Sequence, residues 1–261
     1  MSIFEAIILG ILQGIAEFIP ISSSGHLILL QRVFGIEENL FSFTILVHIG
    51  TLIPVLIIYF YRIKSIIFNP FQKLTLLLVV GTLPIVFFTL LFDNIVDMLF
   101  SGNFLVIGFL VTAIILLLVD SFKDKKKTID KITYLDALSV GLMQSVAIVP
   151  GISRSGSTIF GGVLRGISKK DAANFSFLLS IPAIVGATVL EIINILQDSN
   201  QSFGVTFPDI FGFFSAMITG YFAIKIMLKL IINAKMKYFS YYLIGLSLIM
   251  IFDKIFTNFV F

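Results

Sequence analysis

Residues Gln13–His26 read QGIAEFIPISSSGH, and residues Gln144–Thr158 read QSVAIVPGISRSGST. Set in one register, Gln13 meets Gln144, Ala16 meets Ala147, Ile21 meets Ile152, Ser22 meets Ser153, Ser24 meets Ser155 and Gly25 meets Gly156. Each copy is an apolar helix-like run, a proline break at Pro20 or Pro150, and a small polar cluster that opens a second apolar run. Proline lacks an N–H and ends a helix, so each copy predicts two half-helices that meet at a polar tip. Crossing the roughly 30 Å of hydrocarbon takes about 20 helical residues. Neither half is that long, so residues 3–30 and 133–165 are expected to be re-entrant pairs that enter and leave on one side. Broken backbone of this kind is tolerated only where protein or water covers it.

The rest of the chain is the setting such pairs need. Of 261 residues, 58% are hydrophobic and 13% charged, about half the charge of a soluble domain, which predicts an all-α integral membrane protein. Apolar runs near 41–60, 74–92, 103–120, 172–196, 208–229 and 239–257 are each long enough to span. No cysteine is present and only two histidines, His26 and His48. Thiol chemistry is excluded and a multi-histidine metal site is not expected. Glu5 stands where a signal peptide would be basic, so no cleavable leader is expected. The net charge of +3 concerns topology, and no nucleic-acid partner is expected.

The cations set that topology. With these spans, Arg62, Lys64 and Lys73, then Lys123, Lys125, Lys126, Lys127 and Lys131, then Arg165, Lys169 and Lys170, then Lys225, Lys229, Lys235 and Lys237 all fall on one side. Only Arg32, Arg154 and Lys254 remain of the 18 Lys and Arg. That side is the cytoplasm by the positive-inside rule. Glu37, Glu38, Asp93, Asp97, Asp198 and Asp209 fall opposite. The first pair then enters from outside and the second from the cytoplasm. The chain reads as an inverted-topology repeat, each half a re-entrant pair plus three transmembrane helices. Repeat 1 is 1–120 and repeat 2 is 133–261. Residues 121–132 are the linker, expected as a solvated cytoplasmic loop.

The tips carry chemistry that hydrocarbon tolerates only for a reason. Gln13 and Glu17, four apart, share a helix face. Glu17 suits a hard divalent cation, Mg²⁺ or Ca²⁺, or a general base. Ser22, Ser23 and Ser24 start a helix whose free N–H groups favour anions. His26, one turn after Ser22, can activate a serine, attack phosphorus itself or move a proton. In the second copy Arg154 offers a planar fork that matches phosphate oxygens. Ser153, Ser155, Gly156, Ser157 and Thr158 complete that helix start. Together this is a kit for phosphoryl transfer. Plainer roles exist for each part: serines that only cap helices, a Gln13 that only bridges helices, and a Glu17–Arg154 ion pair that only joins the repeats. His48 fits either a cavity wall or a packed core. Glu191 is expected to be solvated, and Asp136 and Asp171 are expected at cytoplasmic helix starts.

Both motifs resemble those of the bacterial undecaprenyl-diphosphate phosphatases, also called bacitracin-resistance proteins (UppP/BacA). Gln13, Glu17, Pro20, Ser22, Ser23, Ser24, Gly25 and His26 match the family's first motif. Pro150, Gly151, Ser153, Arg154, Ser155, Gly156, Ser157 and Thr158 match its second, and Phe175–Pro182 is also similar. The resemblance implies metal-dependent hydrolysis of undecaprenyl diphosphate, which recycles the lipid carrier for cell-wall synthesis and confers bacitracin resistance. It further implies the bacterial cytoplasmic membrane and a site toward the extracytoplasmic side. Many relatives carry Glu where Gln13 stands, which leaves Glu17 as the main acidic metal ligand. The nucleophile stays open between serine, histidine and metal-activated water. The implied partner is a polyprenyl diphosphate lipid that never leaves the bilayer, and a homodimer is compatible with the sequence. The rival expectation is a polyprenyl-phosphate transporter or flippase built on the same inverted-repeat cavity.

Overall fold

A computed structural model describes residues 1–36, 40–92, 104–197, 203–233 and 235–257. Of the acidic residues expected on the outer side, Glu37, Glu38, Asp93, Asp97 and Asp198 lie outside the described residues. The described chain is helical, with one isolated bridge between Lys127 and Ile167 and no strand.

Four short helices arise where the two motifs predict broken pairs. α1 (Ile3–Phe18) begins at a capping box in which Ser2 and Glu5 satisfy each other's N–H groups,. It stops before Pro20. α2 (Ser23–Val33) begins at Ser22, whose side chain accepts from the Gly25 N–H. Then come α3 (Phe41–Ile58), α4 (Phe60–Phe68), α5 (Lys73–Leu91) and α6 (Leu105–Ser121). α7 (Tyr134–Val146) starts at a Thr133–Asp136 capping box. α8 (Arg154–Leu164) starts at Ser153, which accepts from the Gly156 N–H. α9 (Lys169–Gln197), α10 (Phe207–Ile232) and α11 (Met236–Phe252) follow. Five helices, from α3, α5, α9, α10 and α11, are long and apolar enough to cross a membrane. α6 is a shorter apolar helix of 17 residues, where a span over 103–120 was expected. Its first expected residue, Asn103, lies outside the described ones.

Half-helices pack on helices long enough to span: α1 against α10, and α7 against α5. Both contacts are backbone to backbone. A Cβ added at Gly10 would stand 2.3 Å from the Gly212 carbonyl oxygen, and one at Gly141 would stand 2.4 Å from that of Gly81. The register that sets Gln13 against Gln144 also sets Gly10 against Gly141 and Gly81 against Gly212. Close approach through small residues is how helices gain packing inside lipid, where no hydrophobic force draws them together. Gly10→Ala and Gly141→Ala are each expected to destabilise by roughly 1–3 kcal/mol. A drop in thermal midpoint of both purified variants in one detergent checks this, and an unchanged midpoint in either would contradict it.

Two features depart from the expected plan. The segment after the first span is helical (α4), amphipathic, and has no buried residue. The linker is docked rather than simply solvated. Ile129 and Ile132 are buried, the Ser168 N–H donates to the Lys127 carbonyl at 2.9 Å, and the Lys169 N–H donates to Asp124 at 2.8 Å. An acidic side chain at a helix start satisfies an orphan donor and the helix dipole together, which is why Asp124 fixes α9.

Asp136 is fully buried and joins three elements. It pairs with Lys127 of the linker and, at 3.0 Å, with Arg165 beyond α8. It also accepts from the Thr133 N–H and hydroxyl, each at 2.8 Å. Burial pushes its carboxyl up, but Lys127, Thr133 and Arg165 outweigh this and hold it at about 2. A depressed carboxyl contributes stability above its unfolded value of about 4 and loses that contribution as pH falls toward the folded value. Melting between pH 6 and 3 is expected to show wild type losing stability that Asp136→Asn, already less stable at pH 6, no longer has to lose. Parallel slopes for the two proteins would contradict this.

Candidate active site

Where the two motif tips converge, a carboxylate from one meets a guanidinium from the other. Glu17, in the last turn of α1, is 8% exposed. Its Oε1 pairs with Arg154 Nη2 at the start of α8. Its Oε2 accepts from Ser23 Oγ at 2.8 Å and from Gln13 Nε2 at 3.0 Å. Glu17 thus touches Gln13 one turn earlier, Ser23 past the proline break, and Arg154 in the other motif. Arg154 turns its other terminal nitrogen, Nη1, toward the Ser176 carbonyl at 3.4 Å.

A second cross-link joins the tips through backbone. Ser22 Oγ accepts the Gly151 N–H at 3.1 Å and the Gly25 N–H at 3.4 Å, and Ser24 Oγ lies 3.4 Å away. Ser22 holds φ at 70°, a left-handed conformation that non-glycine residues seldom adopt, at the point where α1 gives way to α2. Gly151, with φ 93°, makes the matching turn. Thr112 on α6 clamps that turn, donating to the Gly151 carbonyl at 2.8 Å and accepting the Ser153 N–H at 2.9 Å. Ser153 and Ser155 hydroxyls lie 3.2 Å apart. Gly156 is packed against Pro20, with 3.3 Å between an added Cβ and the proline ring. Thr158 Oγ1 lies 2.6 Å from Ser176 Oγ and 2.9 Å from the Arg154 carbonyl.

His26 is placed otherwise than its spacing from Ser22 implies. Its Nδ1 lies 2.8 Å from the Ser22 carbonyl, not from the hydroxyl. A carbonyl only accepts, so Nδ1 carries the proton. Nε2, 2.9 Å from the Tyr242 hydroxyl, therefore accepts from it. Phe109 packs edge-on against the ring at 4.9 Å. No Ser22 Oγ–His26 contact forms, because backbone N–H groups already occupy that oxygen.

His48 lies on α3, half-buried, with Nδ1 donating to the Thr44 carbonyl at 2.8 Å. Among the described residues it makes no hydrogen bond to the tips. Glu191, expected to be solvated, is half-buried on α9.

Three polar atoms of the two motifs have no hydrogen-bond partner among the described residues: Gln13 Oε1, Gln144 Oε1 and Ser157 Oγ, all buried. Orphan groups of this kind are rare in folded proteins and call for a ligand or water. The starts of α2 and α8 add backbone N–H groups without intrahelical partners. The site therefore presents a guanidinium, two helix starts and several hydroxyls to an anion, with one carboxylate hydrogen-bonded to a serine hydroxyl beside them. Among the described residues, no three His, Asp or Glu form a cluster that would hold a metal alone. Thr112, Ser176 and Tyr242 complete the arrangement and stand in neither motif. Ser176 falls in the Phe175–Pro182 stretch, the one sequence signal for any of them.

Comparison with known proteins agrees on one family. Residues 6–249 match the model of the family described as bacitracin resistance protein BacA. A protein of Carboxydothermus hydrogenoformans named undecaprenyl-diphosphatase is 46% identical over 255 residues, covering 96% of this chain and 98% of its own. Undecaprenyl-diphosphatase 3 of Bacillus cereus is 43% identical over 253 residues, covering 96% and 97%. The undecaprenyl-diphosphatase of Halothermothrix orenii is 40% identical over 257 residues, covering 96% and 98%.

Proposed function

The chain belongs to the bacitracin resistance protein BacA family, and from that footing we propose that it hydrolyses undecaprenyl diphosphate to undecaprenyl phosphate and inorganic phosphate at the site where Glu17 meets Arg154. The single observation that carries the site assignment is the Ser23 hydroxyl donating to Glu17 Oε2 at 2.8 Å. A serine is a weak nucleophile until a base takes its proton, and here the base is already in place and held by Gln13.

In the first step Ser23 Oγ attacks the terminal phosphorus and its proton passes to Glu17. The bond from that phosphorus to the bridging oxygen breaks, and undecaprenyl phosphate leaves with the bond's electrons. Water then attacks the phosphoseryl phosphorus and gives up a proton, the bond from that phosphorus to Ser23 Oγ breaks, Ser23 Oγ takes back the proton held by Glu17, and inorganic phosphate departs. His26 Nε2, an acceptor in the tautomer that the Ser22 carbonyl favours, is the proposed proton acceptor for that water once Tyr242 yields it. Arg154 and the starts of α2 and α8, with Ser24, Ser153, Ser155, Gly156, Ser157 and Thr158, hold the diphosphate oxygens. Their fixed charges and dipoles stabilise charge as it develops, the main source of catalysis in phosphoryl transfer. Ser22 takes a positioning role, tying Gly151 to α2.

A divalent cation, Mg²⁺ or Ca²⁺, fits this donor set. Glu17 and the orphaned Gln13 Oε1 would hold it, and Mg²⁺ commonly takes one or two carboxylates with substrate phosphates and water as the rest. When bound it would neutralise diphosphate charge.

The inverted repeat belongs to this proposal, supported by the glycine contacts that recur in one register at Gly10–Gly212 and Gly141–Gly81. So do the bacterial cytoplasmic membrane and a site open toward the extracytoplasmic side, supported by the Lys and Arg distribution. The transporter reading is not favoured, since the relatives are named as diphosphatases. Phosphate release from undecaprenyl diphosphate in detergent tests the serine assignment. Ser23→Ala is expected to slow it about a thousandfold, and His26→Gln about a hundredfold. Full activity in Ser23→Ala would remove Ser23 as nucleophile.

A further inference from the structure

Away from the tips, a cavity of about 330 Å³ lies between α4, the start of α5 and the turn at Ile129–Lys131. Arg62, Ser65, Gln72, Lys73, Leu77 and Asp130 are among its lining residues, and none belongs to the Glu17–Arg154 site. Its donors outnumber its acceptors. Ser65 Oγ donates to Gln72 Oε1 at 3.2 Å, and Gln72 Nε2 is left buried with no partner among the described residues. Lys73 Nζ spends one donor on the Asp130 carbonyl at 3.1 Å and keeps two. Among the described residues no carboxylate pairs with Arg62. Among the described residues, Asp130 is the only acidic one in the lining.

The segment that carries Arg62 and Ser65 says what kind of molecule reaches this cavity. Tyr61 is 86% exposed, Phe68 73% and Phe71 87%, and Lys64 Nζ lies over the Phe68 ring at 5.9 Å. A short helix with exposed aromatics and interleaved cations is the pattern of a segment lying in the headgroup layer.

We propose that the cavity between α4, α5 and the Ile129–Lys131 turn is a second anion site, which takes a phosphomonoester: a lipid headgroup or free inorganic phosphate. Arg62 grips two oxygens through its fork, Lys73 adds charge, and Gln72 Nε2 gains the acceptor it lacks. This inference does not depend on hydrolysis at Glu17.

Native mass spectrometry of the purified protein in detergent, titrated with dioleoyl phosphatidic acid or phosphatidylcholine, tests it, with Lys64→Gln as a charge-matched control outside the cavity. Wild type should prefer phosphatidic acid. Arg62→Gln should weaken that binding at least about tenfold, the effect of losing a charged hydrogen-bond donor, while Lys64→Gln leaves it intact. Lys73→Gln gives an independent variant should Arg62→Gln fold poorly. Phosphate release from undecaprenyl diphosphate should be unchanged in Arg62→Gln, which shows that the binding lost is not at the catalytic tips. Competition by millimolar inorganic phosphate would identify free phosphate as the ligand, and its absence would identify the headgroup; either supports the site. Equal weakening by Arg62→Gln and Lys64→Gln would overturn it. So would a wild type that neither prefers phosphatidic acid nor takes up inorganic phosphate in calorimetry.

Discussion

Glu17→Gln is expected to lower phosphate release from undecaprenyl diphosphate by about 10⁴-fold, the upper range for losing a general base. The amide keeps the shape and can still bond Gln13, but it cannot take the proton that Ser23 Oγ directs at Oε2. It also removes the carboxylate proposed to hold a divalent cation. The loss should appear in kcat, because Arg154, freed from its pair with Glu17, and both helix starts remain to hold the diphosphate. A variant that keeps the wild-type kcat and shows only a raised KM would make Glu17 a binding residue and not a base.

Arg154→Ala should be as damaging to activity, by about 10³ to 10⁵-fold, the range for an arginine that stabilises charge on a transferring phosphoryl group. It should also cost stability, and this separates catalysis from architecture. Glu17 sits 8% exposed against that guanidinium. Removing one partner of a buried pair leaves an uncompensated charge, at roughly 3–5 kcal/mol. The double variant Glu17→Gln/Arg154→Ala should therefore melt higher than Arg154→Ala alone while remaining inactive. If the double variant were no more stable, the pair would contribute nothing as a link between the two motifs. If Arg154→Ala were active, the guanidinium would be only such a link.

What was legible in the sequence is what local chemistry decides. Pro20 and the Pro150–Gly151 pair stop helices within a few residues, and Ser22 and Ser153 restart them, so both breaks appear where the letters place them. The apolar runs locate the long helices because length in hydrocarbon is a one-dimensional constraint. That the tips meet was legible too, since a carboxylate and a guanidinium within apolar sequence require partners. The partners drawn from isolated hydroxyls were not. Thr112, Ser176 and Tyr242 sit in apolar helices, where a hydroxyl such as that of Thr112 or Ser176 fits back-bonding to its own helix as well as any distant contact. His26 shows the limit of spacing: four residues put it beside Ser22, but a helix start gives the hydroxyl to backbone N–H groups and leaves the ring the carbonyl. The linker misled for a related reason. Its lysines read as solvated, while Asp124, Ile129 and the Lys127–Asp136 pair fasten it to the helices.

The most direct measurement is multiple-turnover release of inorganic phosphate from undecaprenyl diphosphate by purified protein in detergent, where no second compartment exists to receive a transported lipid. Wild type and Arg154→Lys would be compared at matched folding. Lysine keeps the charge and loses the planar fork. Many turnovers by wild type, with a rate at least about a hundredfold lower in folded Arg154→Lys, is the predicted result. Binding of the lipid by wild type without phosphate release, or a wild-type rate in Arg154→Lys, would contradict it.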